Sequence, residues 1–199
     1  RLMLNLDSED EGVFTVSCAG GVRAGLEVDI TRDNPLSYDK ASNDFMADGV
    51  GSSKMANNVS LVAAIYEIEV KGLIGGHSGI KIHKNRGNAI HLLGRALQGI
   101  RDEADIRLIT VSGGAKDNAI AVAAKARLAL LSKGDNAEEV KTDFINTLKA
   151  LEADFKGEYA TTDREVNISC EELFENTITP MDRESTDKVI YMLCCTPNG

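Results

Sequence analysis

From residue 59 onward, apolar and polar positions follow two clear periods, and their succession predicts an architecture. Residues 65–70 read Ile-Tyr-Glu-Ile-Glu-Val, apolar and polar in turn, as a half-buried strand over 59–70 would. Gly72 to Gly79 breaks that alternation. Ile90, Leu93, Leu97 and Ile100 then recur at spacings of three and four, which predicts a helix near 85–104. Residues 107–112 read as a strand stopped by Gly113-Gly114. Residues 119–131 carry both periods, because alanine is abundant. Val122, Ala124, Ala126, Leu128 and Leu130 alternate with Lys125 and Arg127, and this selects a strand. A second helix is predicted over 135–155, with Asp135 or Asn136 as N-cap and Glu138 and Glu139 where the helix dipole favours acids. Its apolar stripe is Val140, Phe144, Ile145, Leu148 and Leu151. A last strand is expected over 161–170, followed by a short helix capped by Ser185 and ending at Cys195.

Residues 59–170 therefore read β-α-β-β-α-β. The expected fold class is α+β: a ferredoxin-like, antiparallel four-stranded sheet with two helices on one face. Upstream, the apolar residues 2–6 run as a strand into the acidic turn Asp7-Ser8-Glu9-Asp10-Glu11-Gly12. Residues 13–18 and 22–30 are expected to pair as a hairpin around Gly20-Gly21. Residues 33–58 have little periodicity and are expected to form a long loop, tacked down by Phe45 and Met46. The chain divides accordingly into a stub (1–12), a hairpin and loop extension (13–58), the regular unit (59–179) and a C-terminal helical connection (180–199). It opens on Arg1 and closes on Pro197-Asn198-Gly199, as a piece of a longer protein would.

Composition narrows the partners. Lys and Arg total 22 against 31 Asp and Glu, a formal charge of −9 over 199 residues. Nucleic-acid and anionic-membrane surfaces need cationic patches, so neither partner is expected. No apolar run approaches the roughly 20 residues of a membrane span. The cysteines are Cys18, Cys170, Cys194 and Cys195, none at C-x-x-C spacing. Cys194 and Cys195 follow an apolar run and read as small buried residues on a helix, which points to a reducing, cytoplasmic compartment.

Three places exceed what a scaffold needs. The carboxylates of Asp7-Ser8-Glu9-Asp10-Glu11 suit a divalent metal, or simply a solvated acidic turn. In Gly75-Gly76-His77-Ser78-Gly79, glycines on both sides present His77 on a turn. There it could donate to an oxyanion or move a proton, or merely bond the local backbone. His83 and His91 are weaker candidates, His91 lying within the helical pattern. Gly113-Gly114-Ala115-Lys116-Asp117-Asn118 reads either as a plain hairpin loop or as one whose Asn118 amide bonds a substrate carboxylate or carbonyl.

Taken in order, Asn5-Leu6-Asp7-Ser8-Glu9, Cys18-Ala19-Gly20-Gly21, Gly72 to Gly79 with Arg86-Gly87-Asn88-Ala89, and Asp117-Asn118-Ala119-Ile120 match a family pattern. The chain resembles the aminoacyl-histidine (Xaa-His) dipeptidases of the di-zinc aminopeptidase/carboxypeptidase superfamily. The resemblance implies a lid or dimerisation domain inserted in a metal-binding catalytic domain. It implies Asp7 as a ligand to one of two zinc ions, His77 as the lid histidine that stabilises the transition state, and Asn118 as a substrate-binding residue. It further implies a homodimer through the lid, a dipeptide substrate, and a missing catalytic domain without which this chain binds no zinc and is inactive. The family's other metal ligands and catalytic glutamate have no counterparts here. Where the family continues Ile-Pro-Arg-Glu, this chain reads Ile120-Ala121-Val122-Ala123. A free-standing ferredoxin-like interaction or ligand-binding domain is the alternative. It would leave the acidic stub and the G-G-H-S-G turn without a role.

Overall fold

A computed structural model of the chain describes residues 24–34, 36–39, 44–47, 60–133, 136–175 and 177–197. Its strands are β1 (Leu36–Asp39), β2 (Asp44–Ala47), β3 (Ser60–Lys71), β4 (Gly76–His77), β5 (Ile106–Gly113), β6 (Ala119–Ile120), β7 (Ala124–Lys133), β8 (Asn167–Leu173) and β9 (Thr177–Ile178). The helices are α1 (Ala89–Glu103), α2 (Ala137–Glu158) and α3 (Arg183–Cys195). The main sheet has the order β5-β7-β3-β8, every pair antiparallel. This is the ferredoxin-like βαββαβ arrangement expected from the period changes.

Alternation along β3 explains how the sheet becomes two-faced. Tyr66, Ile68 and Val70 point into a core shared with Leu92, Leu97 and Ile100 of α1 and Phe144, Leu148 and Phe155 of α2. Glu67 and Glu69 face the other side and pair with Lys125 across the ladder, at 3.0 and 3.6 Å. A smaller apolar cluster of Val62, Ile65, Ile109, Ala129, Leu131 and Ile178 covers one end of that outer face. Asn88 starts α1, its side-chain oxygen accepting from the Ile90 N–H at 3.0 Å. Further along, α3 crosses α1 closely at Gly94, where a β-carbon would stand 2.7 Å from Leu193 Cβ.

Several local expectations are corrected. The predicted loop 33–58 contains β1 and β2, paired in register Leu36↔Ala47 to Asp39↔Asp44. What β1 gains is a second partner far along the chain, Leu36↔Ile178 and Ser37↔Thr177, which no local period announces. Residues 24–30 carry no strand, and Leu26 is 70% exposed. A strand exists only through its ladder, and no described residue pairs with these. Their expected partner, 13–18, lies outside the described residues. The last strand begins at Asn167, not 161. The residues before it turn instead, Asp163 N–H and Thr162 N–H both donating to Tyr159 O. Helix α1 begins at Ala89, after a short 3₁₀ turn at Ile82–Lys84 that ends on Asn85 in the left-handed region. Cys194 is half-buried but Cys195 is exposed, since the helix turns its last residue to solvent.

The cap of α3 is Asp182 rather than Ser185. Asp182 accepts from the Ser185 N–H at 2.7 Å and from the Thr31 hydroxyl. Ser185 is buried one turn in, and its hydroxyl accepts from the Thr31 N–H at 2.8 Å. The Thr31 hydroxyl, then the Ser185 N–H, hold the Asp182 carboxyl below the usual carboxylate range. A carboxyl depressed in the folded state stabilises above its unfolded pKa, about 4, and ceases to do so as pH falls through the folded value. Asp182→Asn should therefore lower Tm at pH 7, and its deficit should shrink as pH falls from about 4 towards 2. Calorimetry of both proteins across that range checks this.

Candidate functional site

The site lies at the end of the main sheet where β3 finishes and β7 begins. Gly72 turns the chain out of β3 with φ +82°, and a β-carbon there would stand 1.9 Å from Glu165 O. No residue but glycine accommodates both conditions. Leu73 is buried beneath Gly87, and the chain then rises through Gly75 and Gly76 into β4.

The short ribbon β4–β6 brings two of the predicted site residues together. Gly76 pairs with Ile120 and His77 with Ala119, and Ser78 N–H donates to Asn118 O at 2.9 Å. His77 and Asn118 are thus neighbours across one ribbon, both exposed. Asp7 lies outside the described residues. His83 sits exposed on the 3₁₀ turn, and His91 is half-buried on α1.

The His77 ring is held by its own turn. Its Nδ1 accepts from Gly79 N–H at 3.0 Å and from Ile80 N–H at 3.3 Å. An acceptor nitrogen carries no proton, so the neutral ring bears its hydrogen on Nε2. What the turn presents is an Nε2–H donor. Of the two readings open from the sequence, local backbone bonding and donation outward, the geometry accommodates both at once, one per ring nitrogen.

Below the ring, the loop is fastened at its base. Asp163, fully buried in the α2–β8 connection, accepts from Ile74 N–H at 2.8 Å and from Gly87 N–H at 2.9 Å, one on each oxygen. Arg86 Nη1 donates to Gly75 O. No sequence signal marked Asp163, which falls inside the strand expected over 161–170. Arg86 belongs to the R-G-N-A segment already noted. The Ala121 carbonyl accepts the Ala89 N–H at the start of α1, at 2.9 Å. Val122 is 46% exposed beside Gly75.

The charge here runs against the chain's acidic total. Lys81, Lys84, Arg86 and Lys116 outnumber Asp117 in the segments that carry His77 and Asn118, and Lys81 N–H donates to His77 O at 2.9 Å. Among the described residues no three of His, Cys, Asp and Glu form a set that could hold a metal ion. With His77 Nδ1 taken by backbone donors, the ring has one nitrogen to offer. The described residues do not by themselves fit a di-zinc centre. Among them, no helix is long and apolar enough to cross a membrane.

Residues 68–156 match the family model described as a peptidase dimerisation domain. Over that span the ferredoxin-like unit is similar to a peptidase dimerisation domain. The whole chain is 31% identical to the cytosol non-specific dipeptidase of Escherichia coli over 198 residues, and spans 34% of that protein. The crystal structure of the aminoacylhistidine dipeptidase from Vibrio alginolyticus matches 83% of the chain at 27% identity, with a TM-score of 0.57. The chain covers 29% of that structure, so it spans about a third of the length of each of these relatives. The matched span opens within β3 and closes within α2, and both His77 and Asn118 fall inside it. These likenesses favour the dipeptidase reading over a free-standing interaction domain.

Proposed function

We propose that this chain is the lid and dimerisation segment of a zinc-dependent dipeptidase acting on Xaa-His dipeptides in the cytoplasm, and that it is inactive alone. The observation that carries the reading is the His77 ring, locked through Nδ1 with Nε2–H turned outward beside Asn118. A fixed N–H donor aimed at a carbonyl becomes most valuable when that oxygen takes up negative charge, as it does on attack by water. His77 is assigned that task. Asn118 is assigned the substrate's carboxylate or carbonyl, drawn in by the positive field of Lys81, Lys84 and Lys116.

The two zinc ions, which activate water and polarise the scissile bond when bound, are assigned to the catalytic domain, with Asp7 as one ligand from this chain. Residues 1–12 and 180–199 are read as its connections, and 59–179 as the lid proper. A homodimer through the lid completes the assembly. The relatives' printed names, a non-specific dipeptidase and an aminoacylhistidine dipeptidase, support hydrolysis of dipeptides.

The purified 199-residue chain should release no histidine from a Xaa-His dipeptide, with or without added zinc. Turnover by the isolated chain would overturn its assignment as an incomplete site.

A further inference from the structure

The loop that bears His77 is closed at its base by one buried carboxylate. Ile74 N–H and Gly87 N–H, one before the loop and one after it, donate to the two oxygens of Asp163 at 2.8 and 2.9 Å. Residues 75–86 are therefore an excursion whose two ends are tied to the same side chain. One step further in, Arg86 Nη1 donates to Gly75 O and closes a second rung. Compact loops whose ends are close hold together as units. His77 stands two residues past Gly75, in β4 opposite Ala119, with its Nδ1 held by the amides of Gly79 and Ile80.

Asp163 is 0% exposed, and a buried carboxylate is costly unless its oxygens are bonded. Here each oxygen receives a backbone N–H from an opposite side of the loop, so the two ends are held against one rigid planar group. Asp163 comes from the α2–β8 connection, itself pinned by Asp163 N–H to Tyr159 O and Val166 N–H to Asp163 O. A close backbone approach of Gly72 to Glu165 seats the connection beneath the loop.

We infer that Asp163 is a positioning residue for His77, acting with Arg86 as a two-rung clamp that sets where the Nε2–H donor stands. This rests on the role given to His77 above, and the test separates the two. Asp163→Asn keeps the shape but turns an amide N–H towards one of the two backbone donors, so one of the two bonds in that rung is lost.

In the 199-residue chain, backbone ¹⁵N order parameters of residues 76–80 should fall from about 0.85 to below about 0.6 in Asp163→Asn. Those of Leu128 and Ile106 in the sheet should stay unchanged. In the intact enzyme that carries this segment, the same variant should lose about tenfold in kcat, with KM shifted less than twofold. Combined with His77→Ala, it should cost nothing further, because it acts through His77. Arg86→Met, at a partly exposed side chain, should show the same non-additive pattern at smaller size, and serves if Asp163→Asn does not fold. An unchanged loop in both variants, or full additivity with His77→Ala, would overturn the clamp. A loosened loop alongside a fully active His77→Ala enzyme would uphold the clamp and refute the role given to His77.

Discussion

His77→Ala in the intact enzyme is expected to lower kcat by about 10²–10³-fold, the usual loss when one oxyanion donor is removed. KM should move far less, since the donor gains strength only as charge develops on the carbonyl oxygen. The fold should survive, because His77 is exposed and the amides of Gly79 and Ile80 that lose their acceptor lie at an exposed turn, where water replaces it. His77→Gln returns a side-chain N–H to nearly the same place and should recover part of the loss. Steady-state kinetics on a dipeptide, with kcat and KM resolved separately, decides it. An alanine variant with full kcat would remove His77 from the chemistry.

Phe144→Ala should be the most destabilising of the simple core truncations. Phe144 is 1% exposed and stacks on Tyr66, ring centroids 4.6 Å apart and planes 18° from parallel. It joins α2 to β3, so its removal opens a void between the helix and the middle of the sheet. Truncations of this kind cost about 3–5 kcal/mol, lost transfer energy and residual cavity together. In a chain of this size that lowers Tm by roughly 6–20 °C. Ile80→Ala is the control: at 65% exposure it should change stability by less than about 0.5 kcal/mol. Calorimetry on the 199-residue chain compares them. A Phe144→Ala protein melting within a degree or two of the parent would mean that the α2–β3 seam is not the main core.

The sheet was legible because β3 alternates over 65–70 and β7 over 124–128, and both strands are long. Residues 119–131 carry both periods, and the alternation of Lys125 and Arg127 with small apolar residues marks β7. The expected single strand breaks over 121–123, where Val122 is 46% exposed and β6 pairs with β4 instead. The hairpin β1–β2 escaped because its reinforcement comes from β9, across most of the chain. Residues 161–166 contain threonine and valine and so imitate a strand. The backbone turns there because Asp163 spends its carboxylate on Ile74 and Gly87, and neither partner is a local neighbour. The same logic moved the α3 cap to Asp182: Ser185 has the composition of a cap, but Thr31 claims its hydroxyl. The G-G-H-S-G segment announced a bent backbone around a histidine. It could not announce that Asn118 would stand across a two-residue ribbon, because register is a property of pairs.

Arg32 and Met181 face each other in an antiparallel bridge, and Arg32 Nη1 also donates to Thr179 O at 2.7 Å. The places where the chain enters and leaves the sheet unit are thus about 5 Å apart, one strand spacing. To any polypeptide interrupted by this unit, everything between residues 32 and 181 is topologically a hairpin turn. Beyond that point the chain does not depart at once: α3 lays Ile190 and Leu193 back against α1 and the same core.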